Sequence, residues 1–242
     1  MAHYHDGTWG RTPAPGDAKN LYKQLVLQTF QAGLSWQIIL NKEAAFTARF
    51  ERWDYTRVAR WTEDDIAAAL RDAGIVRNGA KVRAAVTNAK LAVELDHARP
   101  GGFERFCWRT CGCLPTAERL LQHGSRSAGG SYMRSSERTD YDTADGVHPT
   151  VGVTAAMAAF KKAGFKFMGP AATLSFVQAA GYVNHHKPDC GAFAAAEQAY
   201  QIAAQANGVA LAPAAGGDTA APAADTDAPP PAAAPRKRAR RA

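Results

Sequence analysis

The stretch DAKNLYKQLVLQTFQAGLSW, residues 17–36, decides the fold class. Asp17 stands where a helix N-cap is expected, because its short carboxylate can accept from the free amides of a first turn. Leu21, Leu25 and Val26 then recur at helical spacing on one face. The pattern stops at Gly33, and Ser35 offers a cap for a second helix whose apolar stripe is Trp36, Ile39, Leu40, Phe46 and Phe50. Downstream the same grammar repeats. Thr62 with Asp65 spells a capping box ahead of Ile66 and Leu70, Gly74 marks a stop, and residues 75–79 form a connector before a helix holding Val82, Val86, Ala89 and Leu91. Met157 and Phe160 belong to a helix that stops at Gly164. Leu174, Val177 and Gln178 belong to another, and a last helix runs from Ala192 to about Gln205. No period-two segment interrupts this series, so the fold is expected to be all-α.

Composition narrows the class of function. The chain has 242 residues, 46% of them hydrophobic, and a net charge of +7. No apolar run approaches the ~18–20 residues of a spanning helix, and the opening Met-Ala-His-Tyr-His-Asp has no apolar signal core, so an intracellular protein without a membrane partner is expected. From residue 207 onward the composition is mostly Ala, Pro, Gly and Asp, ending in the basic cluster Arg236 to Arg241. Such a segment buries too little apolar surface to offset chain entropy, so a helical domain over 1–206 and a disordered tail over 207–242 are expected. The tail's five cations against three acids leave +5 on the helical part. The terminal cluster reads as a nuclear-import signal if the source has a nucleus, as a nonspecific nucleic-acid hook, or as a solubilising end; without a nucleus the cytoplasm is expected. Residues 109–149, rich in Gly and Ser, are too long for an ordinary connection and read as an insertion. Cys107, Cys111 and Cys113 lack a matching second half of a metal site and read as buried structural thiols.

Three further blocks occur in order: Tyr4-His5-Asp6-Gly7-Thr8-Trp9-Gly10, Gln31-Ala32-Gly33-Leu34-Ser35-Trp36, and Gly164-Phe165-Lys166-Phe167-Met168-Gly169 followed by His186-Lys187-Pro188-Asp189-Cys190. Together they resemble the DNA-3-methyladenine glycosylase I family, whose patterns are close to Y-H-D-x-E-W-G, Q-A-G-L-S-W, G-F-K-F-x-G and H-x-x-x-C. The likeness covers roughly residues 3–108 and 150–192. It implies an all-helical DNA repair enzyme of the helix-hairpin-helix superfamily, a monomer acting on duplex DNA that removes alkylated adenine and leaves an abasic site. A base inside a duplex must be rotated out before its sugar bond is reached, which calls for a wedge, a pocket and a grip on the backbone.

The resemblance implies Leu34 as the wedge, with Gly33 allowing close approach to the bases, and Tyr4, Trp36 and Gln28 as the catalytic and substrate-binding pocket. Arg77 and Lys81 fall where the family's hairpin would contact phosphate; by their residues alone they read equally well as solvated charges on a helical joint. His5, His186 and Cys190 match three of the four ligands of a structural zinc. The fourth is a cysteine about a dozen residues before the histidine, where this sequence has only four residues, so that position falls to an upstream residue, His3, Cys107, Cys111, Cys113 or water, or zinc is not held. Asp6 reads as a residue that holds a turn or orients His5.

Two departures bear on chemistry. Gln28 stands where the family has a pocket glutamate, and Thr8 replaces the acid of Y-H-D-x-E-W-G. Exchanging a charged hydrogen bond of ~1.5–3 kcal/mol for a neutral one of ~0.5–1.5 lowers a rate by about tenfold without abolishing it. The alternative is a paralogue that binds damaged DNA and has lost turnover.

Overall fold

The structure, a computed structural model, describes residues 2–112, 150–182, 184, 186 and 189–208. All regular structure among them is helical: α1 (Ala2–Gly7), α2 (Ala18–Gln31), α3 (Trp36–Asn41), α4 (Glu43–Arg49), α5 (Tyr55–Val58), α6 (Glu63–Arg71), α7 (Gly79–Ala98), α8 (Gly102–Cys107), α9 (Thr150–Lys162), α10 (Pro170–Ala179) and α11 (Phe193–Ala206). A wide helical turn, Trp108–Gly112, continues α8. The all-α expectation holds. No helix among the described residues is long and apolar enough to cross a membrane. The segments read from sequence as an insertion and as a basic tail lie outside the described residues, apart from 109–112, 207 and 208.

Helix α7 organises the rest. Its buried apolar positions are small or branched, Val82, Ala84, Ala85, Val86, Ala89 and Ala92, so neighbouring backbones come close, and α2, α5, α6 and α8 all pack on it. Tyr22, fully buried on α2, donates its hydroxyl to the Ala85 carbonyl at 3.1 Å. An aromatic stack of Phe30, Phe46, Phe50 and Trp61 fills the space beside α2, with ring centroids 4.8 Å apart for the first pair and 5.2 Å for Phe50 and Trp61. A second cluster, Phe103, Phe106, Phe160, Phe165 and Phe176, joins α8, α9 and α10.

Caps follow the sequence with one exception. Asp17 accepts from the Asn20 amide at 3.1 Å, and Thr62 and Asp65 complete a reciprocal capping box. Ser35 precedes α3 in extended backbone, yet its hydroxyl makes no capping bond. The stripe from Trp36 to Phe50 is also divided between two helices that meet at Lys42. The Lys42 amide tightens onto the Ile39 carbonyl, and its ammonium reaches across to the carbonyls of Ala73 and Gly74 at 2.8 and 3.2 Å.

One buried amide fixes the segment 164–169. Asn88, fully buried on α7, accepts from the Lys166 amide at 2.7 Å and donates to the Lys166 carbonyl at 3.1 Å. Phe165 and Met168 turn inward, whereas Phe167 is exposed with a left-handed backbone, φ 59°. Replacing Asn88 leaves two backbone groups unsatisfied at about 1–3 kcal/mol each. Asn88→Ala is therefore expected to lower the unfolding free energy by about 3 kcal/mol, measured by urea titration.

Candidate active site

Four helices line an open cavity of about 420 Å³. Tyr4 and His5 come from α1, Trp9 from the turn after it, Gln28 and Gln31 from α2, Trp36 from α3, and Ser175 and Gln178 from α10. The spacing explains the grouping: Gln28 and Gln31, like Ser175 and Gln178, are three residues apart and share a helix face. Tyr4 and Trp36 face each other with ring centroids 5.2 Å apart and planes inclined at 52°. Gln28 is 4% exposed. The Trp36 indole nitrogen is buried without a hydrogen-bond partner among the described residues.

Among the described residues, the walls contain no carboxylate. Burial, with the nearby Glu43 carboxylate adding to it, pushes the Tyr4 hydroxyl well above its ordinary range, so it stays protonated. Glu43 is itself held by Lys23 at 2.5 Å. Its influence on the cavity was not legible from sequence, because it lies outside every recognisable block.

Beside the cavity, α2 ends in a tight turn. The Leu34 amide donates to the Gln31 carbonyl at 2.7 Å, Ala32 has φ −49° and ψ 115°, and Gly33 has φ 78°. These are the angles of a type II turn, whose third residue must be left-handed, hence glycine. Gly33 is exposed, and Leu34 is half-buried against the core.

Arg77 is exposed ahead of α7, where Asn78 caps the helix by accepting from the Lys81 amide at 3.1 Å. Lys81 departs from the expected phosphate contact. It is 6% exposed and points inward, donating to the carbonyls of Phe30 at 2.8 Å and Ala32 at 2.5 Å. Burial lowers its pKa.

The N-terminal turn and the segment after α10 meet at His5, His186 and Cys190, whose ligand atoms lie within 4.8 Å of one another. His5 Nδ1 is 2.7 Å from the Asp6 carboxylate, so Asp6 orients that ring. His186 is buried, and burial lowers its pKa. Its Nε2 lies 3.1 Å from the Trp9 carbonyl, and since a carbonyl only accepts, Nε2 carries the proton. That leaves His186 Nδ1 as a lone pair, 3.7 Å from Cys190 Sγ. The neighbouring thiols Cys107 and Cys111 are buried elsewhere in the core, where desolvation holds Cys107 protonated.

The model of the methyladenine glycosylase family matches residues 1–194. The chain belongs to that family. It is 31% identical over 189 residues to DNA-3-methyladenine glycosylase 1 of Escherichia coli (strain K12), which covers 77% of this chain and 88% of that protein. The DNA-3-methyladenine glycosylase of Haemophilus influenzae is 29% identical over 188 residues, covering 77% and 89%. A solved structure of 3-methyladenine DNA glycosylase I from Staphylococcus aureus, described as the structural basis of 3-methyladenine recognition, superposes with a TM-score of 0.62 and 31% identity, covering 79% of this chain and 90% of that one.

Within this glycosylase fold, Tyr4, Gln28 and Trp36 share one cavity, as the motifs implied, and His5, His186 and Cys190 share one cluster. Trp9, Gln31, Ser175 and Gln178 were not anticipated as wall residues; Trp9 and Gln31 lay inside quoted motifs, and the i, i+3 spacing of the other two was their signal. Gly10 makes the cluster possible. Its backbone is left-handed, φ 69°, and a Cβ there would lie 2.9 Å from His186 Nε2. Gly10→Ala is expected to displace His186 and lower the melting temperature, whereas Gly7→Ala, where a Cβ meets nothing within 4 Å, leaves it nearly unchanged by calorimetry.

Proposed function

We propose that this protein hydrolyses the N-glycosidic bond of 3-methyladenine in DNA, leaving an abasic site. The observation that carries the reading is the cavity in which Tyr4 and Trp36 stand 5.2 Å apart beside the buried amide of Gln28. A flipped methylated purine is a planar cation, and aromatic walls stabilise it through dispersion and a cation–π term of ~0.5–2 kcal/mol. The Gln28 carbonyl accepts from the exocyclic amine. Water adds to the anomeric carbon as the C–N bond breaks. The bonding electrons leave with the base and cancel its positive charge, and the water loses one proton to solvent. Because the base departs neutral, the step needs little more from the protein than desolvation, orientation and stacking.

Duplex DNA is gripped in this reading by Leu34 as wedge, presented by Gly33, and by Arg77 on phosphate at a helix-hairpin-helix formed from α6, its connector and α7. His5, His186 and Cys190 hold a structural zinc. The imidazole and thiolate donors suit that ion, Asp6 and the Trp9 carbonyl fix the two rings as outer partners do in metal sites, and zinc there supplies rigidity rather than chemistry. A second reading, a damage binder without turnover, is favoured by one observation, Gln28 in place of an acid.

Chromatography of bases released from methylated duplex DNA separates the two. Wild type is expected to release 3-methyladenine, Trp36→Ala to lose at least about tenfold, and Gln28→Glu to gain about tenfold. Release by Gln28→Glu alone makes the natural chain a binder; silence from all three overturns the glycosylase reading. For the metal, elemental analysis is expected to find about one zinc per chain, lost from Cys190→Ser; a metal-free wild type purified with zinc present removes that part.

A further inference from the structure

Lys81 carries a charge into the interior, where an ammonium is costly unless every proton has a partner. An apolar chain of equal length would fill the same space without that cost, so its presence marks the acceptors it reaches. The Phe30 carbonyl belongs to the open C-terminal turn of α2, where a cation is favoured by the helix dipole. The Ala32 carbonyl lies inside the exposed turn that presents Leu34. The Leu34 amide donates to the Gln31 carbonyl across this turn, and nothing lies within 4 Å of where a Gly33 Cβ would be. Seven residues along α7, on the same face, Asn88 grips the backbone of Lys166 in the same manner.

We infer that Lys81 is a positioning residue for the DNA wedge: from beneath the surface it holds the end of α2 and the turn Gln31–Leu34 in the one arrangement that presents Leu34 to the duplex. The inference rests on the reading of Leu34 as wedge. A turn held in this way meets DNA already ordered, so the ordering entropy is not charged to the flipping step.

The test uses the full chain and a duplex with a single 3-methyladenine. Lys81→Met, which keeps the length of the side chain and removes the donor, is expected to lower kcat/KM by about tenfold. Affinity for free 3-methyladenine, read by tryptophan fluorescence, is expected to stay within about twofold, because the pocket walls are untouched. Lys81→Met combined with Leu34→Ala is expected to be within about twofold of Leu34→Ala alone, since both act through one side chain. Duplex turnover near wild type in Lys81→Met, an equal loss of free-base affinity, or losses that multiply in the double variant overturn the inference. Wild-type turnover in Leu34→Ala overturns the wedge reading beneath it. If Lys81→Met does not fold, Lys81→Leu, which also removes the donor, is held to the same outcomes. If the wild type binds without turnover, affinity for abasic duplex replaces kcat/KM.

Discussion

Backbone groups at the end of a helix must find partners, and in this molecule the partners for two surface turns are buried polar side chains of one central helix. Lys81 and Asn88 lie seven residues apart on α7, both inside an otherwise apolar packing surface of alanine and valine. One holds the end of α2, the other the segment leading into α10. Since α2 and α10 also supply four walls of the cavity, the position of the cavity is set by hydrogen bonds that never touch it. Hydrophobic packing alone would allow these helices to slide by fractions of an ångström; a bidentate amide or a shared ammonium does not.

The electrostatics of the pocket follow from the residues that line it. A cavity walled by aromatic rings, amides and a hydroxyl has a low local dielectric and no fixed negative charge of its own. Glu43 reaches it only as a field at Tyr4, and Lys23 partly offsets that field. In the proposed reaction, discrimination for a cationic base is left to the π-faces of Tyr4 and Trp36, whose quadrupoles favour a cation over a neutral purine of the same shape.

The sequence revealed the helices with strong amphipathic faces and explicit caps, such as α2 behind Asp17 and α6 behind Thr62, because those signals are local. It also revealed the pocket trio, since Tyr4, Gln28 and Trp36 lie in or beside contiguous motifs. What it did not show was direction and distance. Helix α1 has no apolar periodicity; Trp9 packed against the His5 and His186 rings holds the turn that follows it. Lys81 read as an exposed cation because a charge in a motif says nothing about which side of the helix it occupies. The break at Lys42 is tertiary too, arising from carbonyls of residues 73 and 74 that a local reading cannot supply.

His5 belongs both to the cavity wall and to the cluster with His186 and Cys190, so the wall is closed by contacts spanning 177 positions of the chain. A helix of six residues has no stability by itself. During synthesis on a ribosome, α2 to α8 can therefore collapse into their core while Tyr4, His5 and Trp9 still lack the partners that seat them. The site is completed only as residues 186–190 emerge, which makes it one of the last parts of the molecule to form. A translation product interrupted before that point lacks the contacts that seat Tyr4, His5 and Trp9.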